Sequence, residues 1–269
     1  MVATVHDLFS VVSDTFAEAS FRAKKLERYS ELMRRCTLIL AVSEYTRQLC
    51  IEALGADPDR VVVTPEGVSK EFRPPAAEEV ARVRRRFGLD GEYFLFVGEL
   101  SRRKNLSRLL EAFAGMPRPN TLRLVLAGRP SYGYESIEEA LSRLHLDGPV
   151  VRPGFVGSED LVALYGGARA LVFPSLDEGF GLPVLEAMAC GTPVLASRRG
   201  AIPEVAGDAA LLVHPESVDD LRNSMATLLE DEIIVEDLRR RGLERAREFT
   251  WGRTARLTLE AYRRAATLG

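Results

Sequence analysis

A chain of 269 residues is long enough for one large or two ordinary domains. Its 46% hydrophobic and 28% charged residues are ordinary for a globular chain, and a net charge of −3 with no interleaved basic and aromatic patch excludes nucleic acid as the expected partner. No apolar run approaches the ~18 residues of a membrane span and no signal peptide is visible, so the expected location is the cytoplasm.

The first element is a strand, Met1 to Val5, running directly into His6-Asp7. Domains seldom begin on a strand with nothing before it, so the expectation is that something upstream is missing. Ala17 to Arg35 reads as an amphipathic helix with Phe21, Lys25, Tyr29 and Met33 spaced by four. Arg22, Lys24, Lys25, Arg28, Arg34 and Arg35 make it basic, which is either a solvated face or a peripheral membrane contact. Leu38 to Val42 is a buried strand, and Ser43 caps the next helix with Glu44 in its first turn. Asp57-Pro58-Asp59 has the letters of a D-x-D metal string, but its central Pro predicts a turn and no metal is expected. After the strand Arg60 to Thr64 comes Pro65-Glu66-Gly67-Val68. Phe72 to Arg86 reads as a linker and a first helix, so a boundary is placed at Pro74 and divides the chain into 1–74, 75–250 and a terminal 251–269. Cys36, Cys50 and Cys190 are odd in number, lack metal-ligand spacing and read as buried free thiols.

From Glu92 strands and helices alternate. Strands are expected at Tyr93 to Val97, Leu122 to Ala127 and Val150-Val151. Helices are expected at Leu106 to Ala114, Glu135 to Leu144 and Ser158 to Tyr165, the last capped by Ser158. This alternation predicts α/β architecture with a doubly wound parallel sheet. Gly98 to Asn105 follows the first of these strands and gathers Arg102, Arg103 and Lys104; cations at a strand's carboxyl end suit a diphosphate. Gly128-Arg129-Pro130 and Gly154-Phe155-Val156 follow the next two strands, while His145 and His214 read as non-functional. Near the end, amphipathic helices are expected over Ser217 to Leu229, Glu232 to Glu248 and Arg253 to Ala266.

The most informative stretch is Ala168 to Ser197. A strand (Ala170 to Phe173) leads through Pro174–Gly181 into a helix from Leu182 to Cys190, which stops at Gly191 before a second strand from Pro193. Such βαβ units bind ligands beyond the carboxyl ends of their strands. Gly179 and Gly181 let the backbone approach a bound group, and the amides of Phe180, Gly181 and Leu182 lie at the helix start, where an anion is favoured. Glu178 and Glu186 flank this positive end eight residues apart, on one side of the helix if Glu178 lies near its start. Carboxylates beside an anion site accept from hydroxyls, so phosphate plus polyol points to a sugar nucleotide.

The run E-G-F-G-L-P-x-L-E-A-M-A-x-G-x-P-V, from Glu178 to Val194, resembles the signature of the retaining glycosyltransferases of family four, which have the GT-B fold of two Rossmann-like domains. The likeness extends over nearly the whole chain. It implies a complete donor-binding domain, a last helix crossing back to the N-terminal domain, and a shortened acceptor-side domain without its Gly-rich loop. His6 matches the family His near the donor sugar. A-V-S-E-Y-T-R and G-A-I-P-E-V resemble two further motifs, and Glu66 departs from the usual P-N-G-V. Gly98 opens a loop resembling the R-K-N form of the phosphate-binding loop, which makes Arg103 and Lys104 the candidates for the leaving diphosphate. The Val156 loop would hold the base through its backbone, Glu178 the sugar hydroxyls and Glu186 the ribose.

The resemblance therefore implies transfer of a sugar from a nucleotide diphosphate sugar, GDP-mannose by the R-K-N form, to the hydroxyl of a carbohydrate or lipid-linked acceptor with retained configuration. No cofactor is implied beyond that donor substrate. Two alternatives stay open: a nucleotide-sugar-binding module without turnover, and a subunit that completes its acceptor domain in a homo-oligomer or with a partner chain.

Overall fold

The computed structural model describes residues 1–268; Gly269, the last residue of the expected third segment, lies outside the described residues. A three-stranded parallel sheet is formed by β1 (Val2–Val5), β2 (Leu38–Ala41) and β3 (Val61–Val63) in that order. Between them run α1 (Phe9–Val12), α2 (Ala19–Arg35) and α3 (Glu44–Leu54). After α4 (Ala77–Phe87), a second parallel sheet collects six strands. They are β4 (Tyr93–Val97), β5 (Arg123–Ala127), β6 (Val150–Gly154), β7 (Ala170–Phe173), β8 (Val194–Ser197) and β9 (Leu211–Val213). Their crossovers are α5 (Leu106–Gly115), α6 (Glu135–Arg143), α7 (Ser158–Gly167), α8 (Leu182–Ala189) and α9 (Ile202–Ala206). The chain ends in α10 (Val218–Glu230), α11 (Glu232–Ala246) and α12 (Trp251–Leu268).

Burial explains the sheet. Strands β7 and β8 are buried at every residue, as a sheet covered on both faces requires; β7 is a continuous apolar run, and β8 is one as far as Ser197. Tyr93, Phe94, Phe96, Phe113, Tyr165 and Phe173 are the largest fully buried side chains, all in or against this sheet. The strand order is β6-β5-β4-β7-β8-β9. Winding therefore reverses between β4 and β7, and the crevice beyond their carboxyl ends is where a doubly wound sheet binds ligands.

The two sheets meet by their carboxyl ends. Ser43, just after β2, donates from Oγ to the carbonyl of Gly179, beyond β7, at 2.6 Å, and Thr46 Oγ1 donates to it at 3.0 Å. The Glu204 carboxylate caps the start of α3, accepting from Glu44 N at 2.9 Å. Helix α12 returns to the first sheet, where Ala261 packs on Leu38 and Leu40.

Several expectations need correction. Strand β6 runs to Gly154, through Pro153; a missing N–H is tolerated because β6 is an edge strand. Helix α7 takes Gly157 as its N-cap with no side-chain capping bond, so Ser158 is its first residue and not its cap. Residues Ile202–Ala206 form α9, and α1 and β9 are additional elements. Asp57-Pro58-Asp59 begins a short 3-10 turn in which Asp57 accepts from Asp59 N, and the described residues contain no cluster that could hold a metal. All three cysteines are free and buried, and no helix is long and apolar enough to cross a membrane among the described residues.

Candidate functional site

Beyond β7 the chain turns through Pro174–Gly181 into α8. Gly181 is the N-cap, left-handed at φ 106°, and makes no side-chain capping bond. The amides of Phe180 and Gly181 donate to no acceptor among the described residues, although both residues are buried. Buried donors without a partner are rare in folded chains, so this helix start presents two free N–H groups. At both glycines the protein itself leaves no room for a Cβ. A Cβ on Gly179 would lie 1.9 Å from the carbonyl oxygen of His6, and one on Gly181 would lie 2.5 Å from Ile202 Cδ1.

The cations close on this turn. Arg103 Nη1 lies 2.9 Å from Glu178 Oε1 and donates to the carbonyl of Asp177 at 2.6 Å. Lys104 Nζ pairs with the same Glu178 oxygen, and the two side chains are only 7% and 11% exposed. The Arg103 guanidinium also lies over the Phe9 ring, 4.4 Å from its centroid. Burial pushes the Glu178 carboxyl up, but Lys104 and Arg103 together outweigh it and hold the group below its ordinary value. Asn105 explains the third letter of R-K-N. It adopts φ 61°, which Asn tolerates, and its Nδ2 donates to the carbonyls of Pro174 and Pro215, tying the cationic loop to the end of β7. Gly98 lies alongside, where a Cβ would be 3.7 Å from Lys104 Nζ.

Two further carboxylates face the cluster. Burial pushes Asp177 up to about 6, against a hydrogen bond from Tyr45. Asp7 is also raised by burial, with Arg103 opposing.

Gly98 and Val156 line one cavity of about 530 Å³ with Val97, Ala127, Gly128 and Phe155, and Arg129 lies 4.9 Å from the Phe155 ring centroid. Glu186 is placed differently from the expected pairing. Glu178 lies outside the helix, before the Gly181 cap, so helical spacing does not relate the two carboxylates; Glu178 engages Lys104 while Glu186 Oε2 accepts from the Tyr165 hydroxyl at 2.9 Å. Burial raises Glu186, and the Tyr165 bond works against that rise.

His6 follows β1. Its side chain is 65% exposed, and Nδ1 lies 2.9 Å from Oε1 of Glu66, which follows β3. The Glu66 hydrogen bond raises its pKa, burial opposing.

The structure thus joins Arg103, Lys104 and Glu178 in one cluster with Gly98 beside it. It sets His6 against Gly179 by backbone and leaves Glu186 with its own partner. Reading the sequence missed Tyr165, Tyr45, Asp177 and Glu204. Their only signals are ordinary helix and turn positions whose partners lie 21 or more residues away.

Comparison with known proteins follows this geometry. Residues 78–249 match the family model described as Glycosyl transferases group 1, and residues 1–72 the one described as Glycosyltransferase Family 4. The chain is 34% identical to the O-antigen chain mannosyltransferase B of Escherichia coli, over 97% of its own length and 70% of that protein. It is 31% identical to the serotype-specific mannosyltransferase WbdA of Escherichia coli, over 98% of its own length and only 33% of that protein. Sucrose-phosphate synthase from Thermosynechococcus elongatus superposes with a TM-score of 0.85 at 26% identity, covering 100% of this chain and 68% of that one. By both family models and this fold, the chain belongs to the group 1 glycosyl transferases and has their GT-B architecture.

Proposed function

We propose that this chain binds a nucleotide diphosphate sugar, GDP-mannose in the first instance, and transfers the sugar to a hydroxyl of a carbohydrate or lipid-linked acceptor with retention of configuration. The observation that carries the reading is the convergence of one buried cation, one part-buried cation and two unpartnered amides at one helix start. That is the charge arrangement a departing diphosphate needs, preorganised and largely shielded from water. The mannosyl donor is supported by the two mannosyltransferase relatives and by the R-K-N loop.

In this reading residues 75–250 hold the donor. Arg103, Lys104 and the Phe180–Leu182 amides offset the charge that develops on the diphosphate as the sugar–oxygen bond breaks. Both cations use Oε1 of Glu178, which leaves Oε2 to accept from sugar hydroxyls. Glu186 accepts from the ribose, the Val156 loop holds the base, and His6 orients the donor sugar. The acceptor hydroxyl attacks from the face that the diphosphate leaves, and the diphosphate takes its proton. The test is incubation with GDP-mannose and a mannose-terminated acceptor, with NMR of the product. A product that keeps the donor's anomeric configuration supports the reading, and inverted product, or no transfer from any sugar nucleotide, overturns it.

A further inference from the structure

Glu66 is the feature that the proposed mechanism does not use. It follows β3 on a segment fixed at both neighbours. The Pro65 carbonyl accepts from Thr254 Oγ1 at 2.6 Å. Gly67 is wedged so tightly that a Cβ would lie 2.2 Å from Trp251 N. Val68 N donates to the Phe249 carbonyl at 3.1 Å. His6 is fixed in the same way, its carbonyl filling the space beside Gly179. Two rigidly mounted residues two strands apart thus direct a carboxylate, 12% exposed, at an imidazole that is otherwise exposed.

A carboxylate can only accept, so the proton between the two groups resides on Nδ1. The other nitrogen, Nε2, is then the one facing outward, and its character depends on charge: a donor when the ring is protonated, an acceptor when it is neutral. We propose that Glu66 is a positioning residue that fixes His6 with its Nδ1 proton on the carboxylate, so that Nε2 is presented to the donor sugar. The proposal rests on the reading of His6 as a donor-sugar residue.

Glu66 from the loop after β3 and Asp7 on the same strand end both raise the His6 pKa, and burial lowers it. Arg103, Lys25 and Glu178 bear on Asp7. An Asn at position 66, usual in the resembling family, would supply a hydrogen-bonding group without the charge.

The test pairs a titration with a binding measurement. The chain has three His, so His6 is assignable by difference in a ¹⁵N–¹H imidazole spectrum using His6→Asn. In the wild type His6 carries the Nδ1–H tautomer when neutral, and in Glu66→Gln its titration moves to lower pH while His145 and His214 do not move. An unmoved His6 titration, or an Nε2–H tautomer in the wild type, overturns the proposal. Binding of GDP-mannose and of GDP is then compared at pH 7.5. Glu66→Gln loses about tenfold in GDP-mannose affinity, one hydrogen bond to the sugar, and keeps its GDP affinity. Equal loss of both ligands overturns the sugar-facing role. If neither ligand binds the wild type, the functional reading fails, and the spectrum alone then decides whether Glu66 fixes the ring.

Discussion

Lys104 and Glu178, 74 residues apart in sequence, form one buried ion pair at the start of α8. Removing one partner of such a pair leaves an uncompensated charge in a dry site, so Glu178→Ala should cost about 3–5 kcal/mol in urea unfolding. Replacing both, Lys104→Met with Glu178→Leu, should recover only part of that stability, because Arg103 loses the same Glu178 oxygen, and should abolish nucleotide binding. A double variant that still binds nucleotide would remove the pair from the donor site.

Glu186 has one oxygen engaged by Tyr165 and the other available. Glu186→Ala should weaken nucleotide affinity by about 1.5–3 kcal/mol, the range for a hydrogen bond to a charged group, with little change in thermal midpoint. Calorimetric titration gives the answer, and unchanged affinity would defeat the ribose assignment.

Asp177 titrates at about 6 in the folded chain, above its ordinary 3.8. Between these values the folded chain holds a proton that the unfolded chain has released, so this group's contribution to stability falls as pH rises through that window. The penalty above pH 6 is on the order of 3 kcal/mol. Asp177→Asn should therefore be more stable than wild type at pH 7.5, with the advantage gone near pH 4. Thermal midpoints at the two pH values test this, and an Asn variant no more stable at pH 7.5 contradicts it.

Gly179 has no room for a methyl group, because the His6 carbonyl fills that space. Gly179→Ala should cost about 3 kcal/mol, the upper end for overpacking, and should loosen the contact between the two sheets. Denaturant melts measure the cost, and a neutral substitution would show that the two sheet ends are not held together there.

The fold was legible because apolar runs such as Leu38–Ala41 and Ala170–Phe173 carry enough hydrophobicity to be strands wherever they pair. Shorter elements were not: β9 has three residues and no alternation, and α9 begins Ile202-Pro203, which reads equally as a turn. Of the site, the cationic loop and the glycine turn were visible as local strings. Partners were not, because Glu66–His6 and Lys104–Glu178 are long-range contacts set by topology. The glycines were visible, but a second reason for them was not: His6 and Ile202, remote in sequence, leave no room for a Cβ at Gly179 and Gly181.

The proposed donor site is built from Arg103, Lys104, the α8 amides and Glu186. Calorimetric titration of the folded chain with GDP, UDP, ADP and dTDP tests it most directly, with Glu186→Ala beside the wild type. Micromolar binding of GDP in preference to the others, lost in the variant, is the expected result. Binding of none of the four by folded wild-type protein would contradict it.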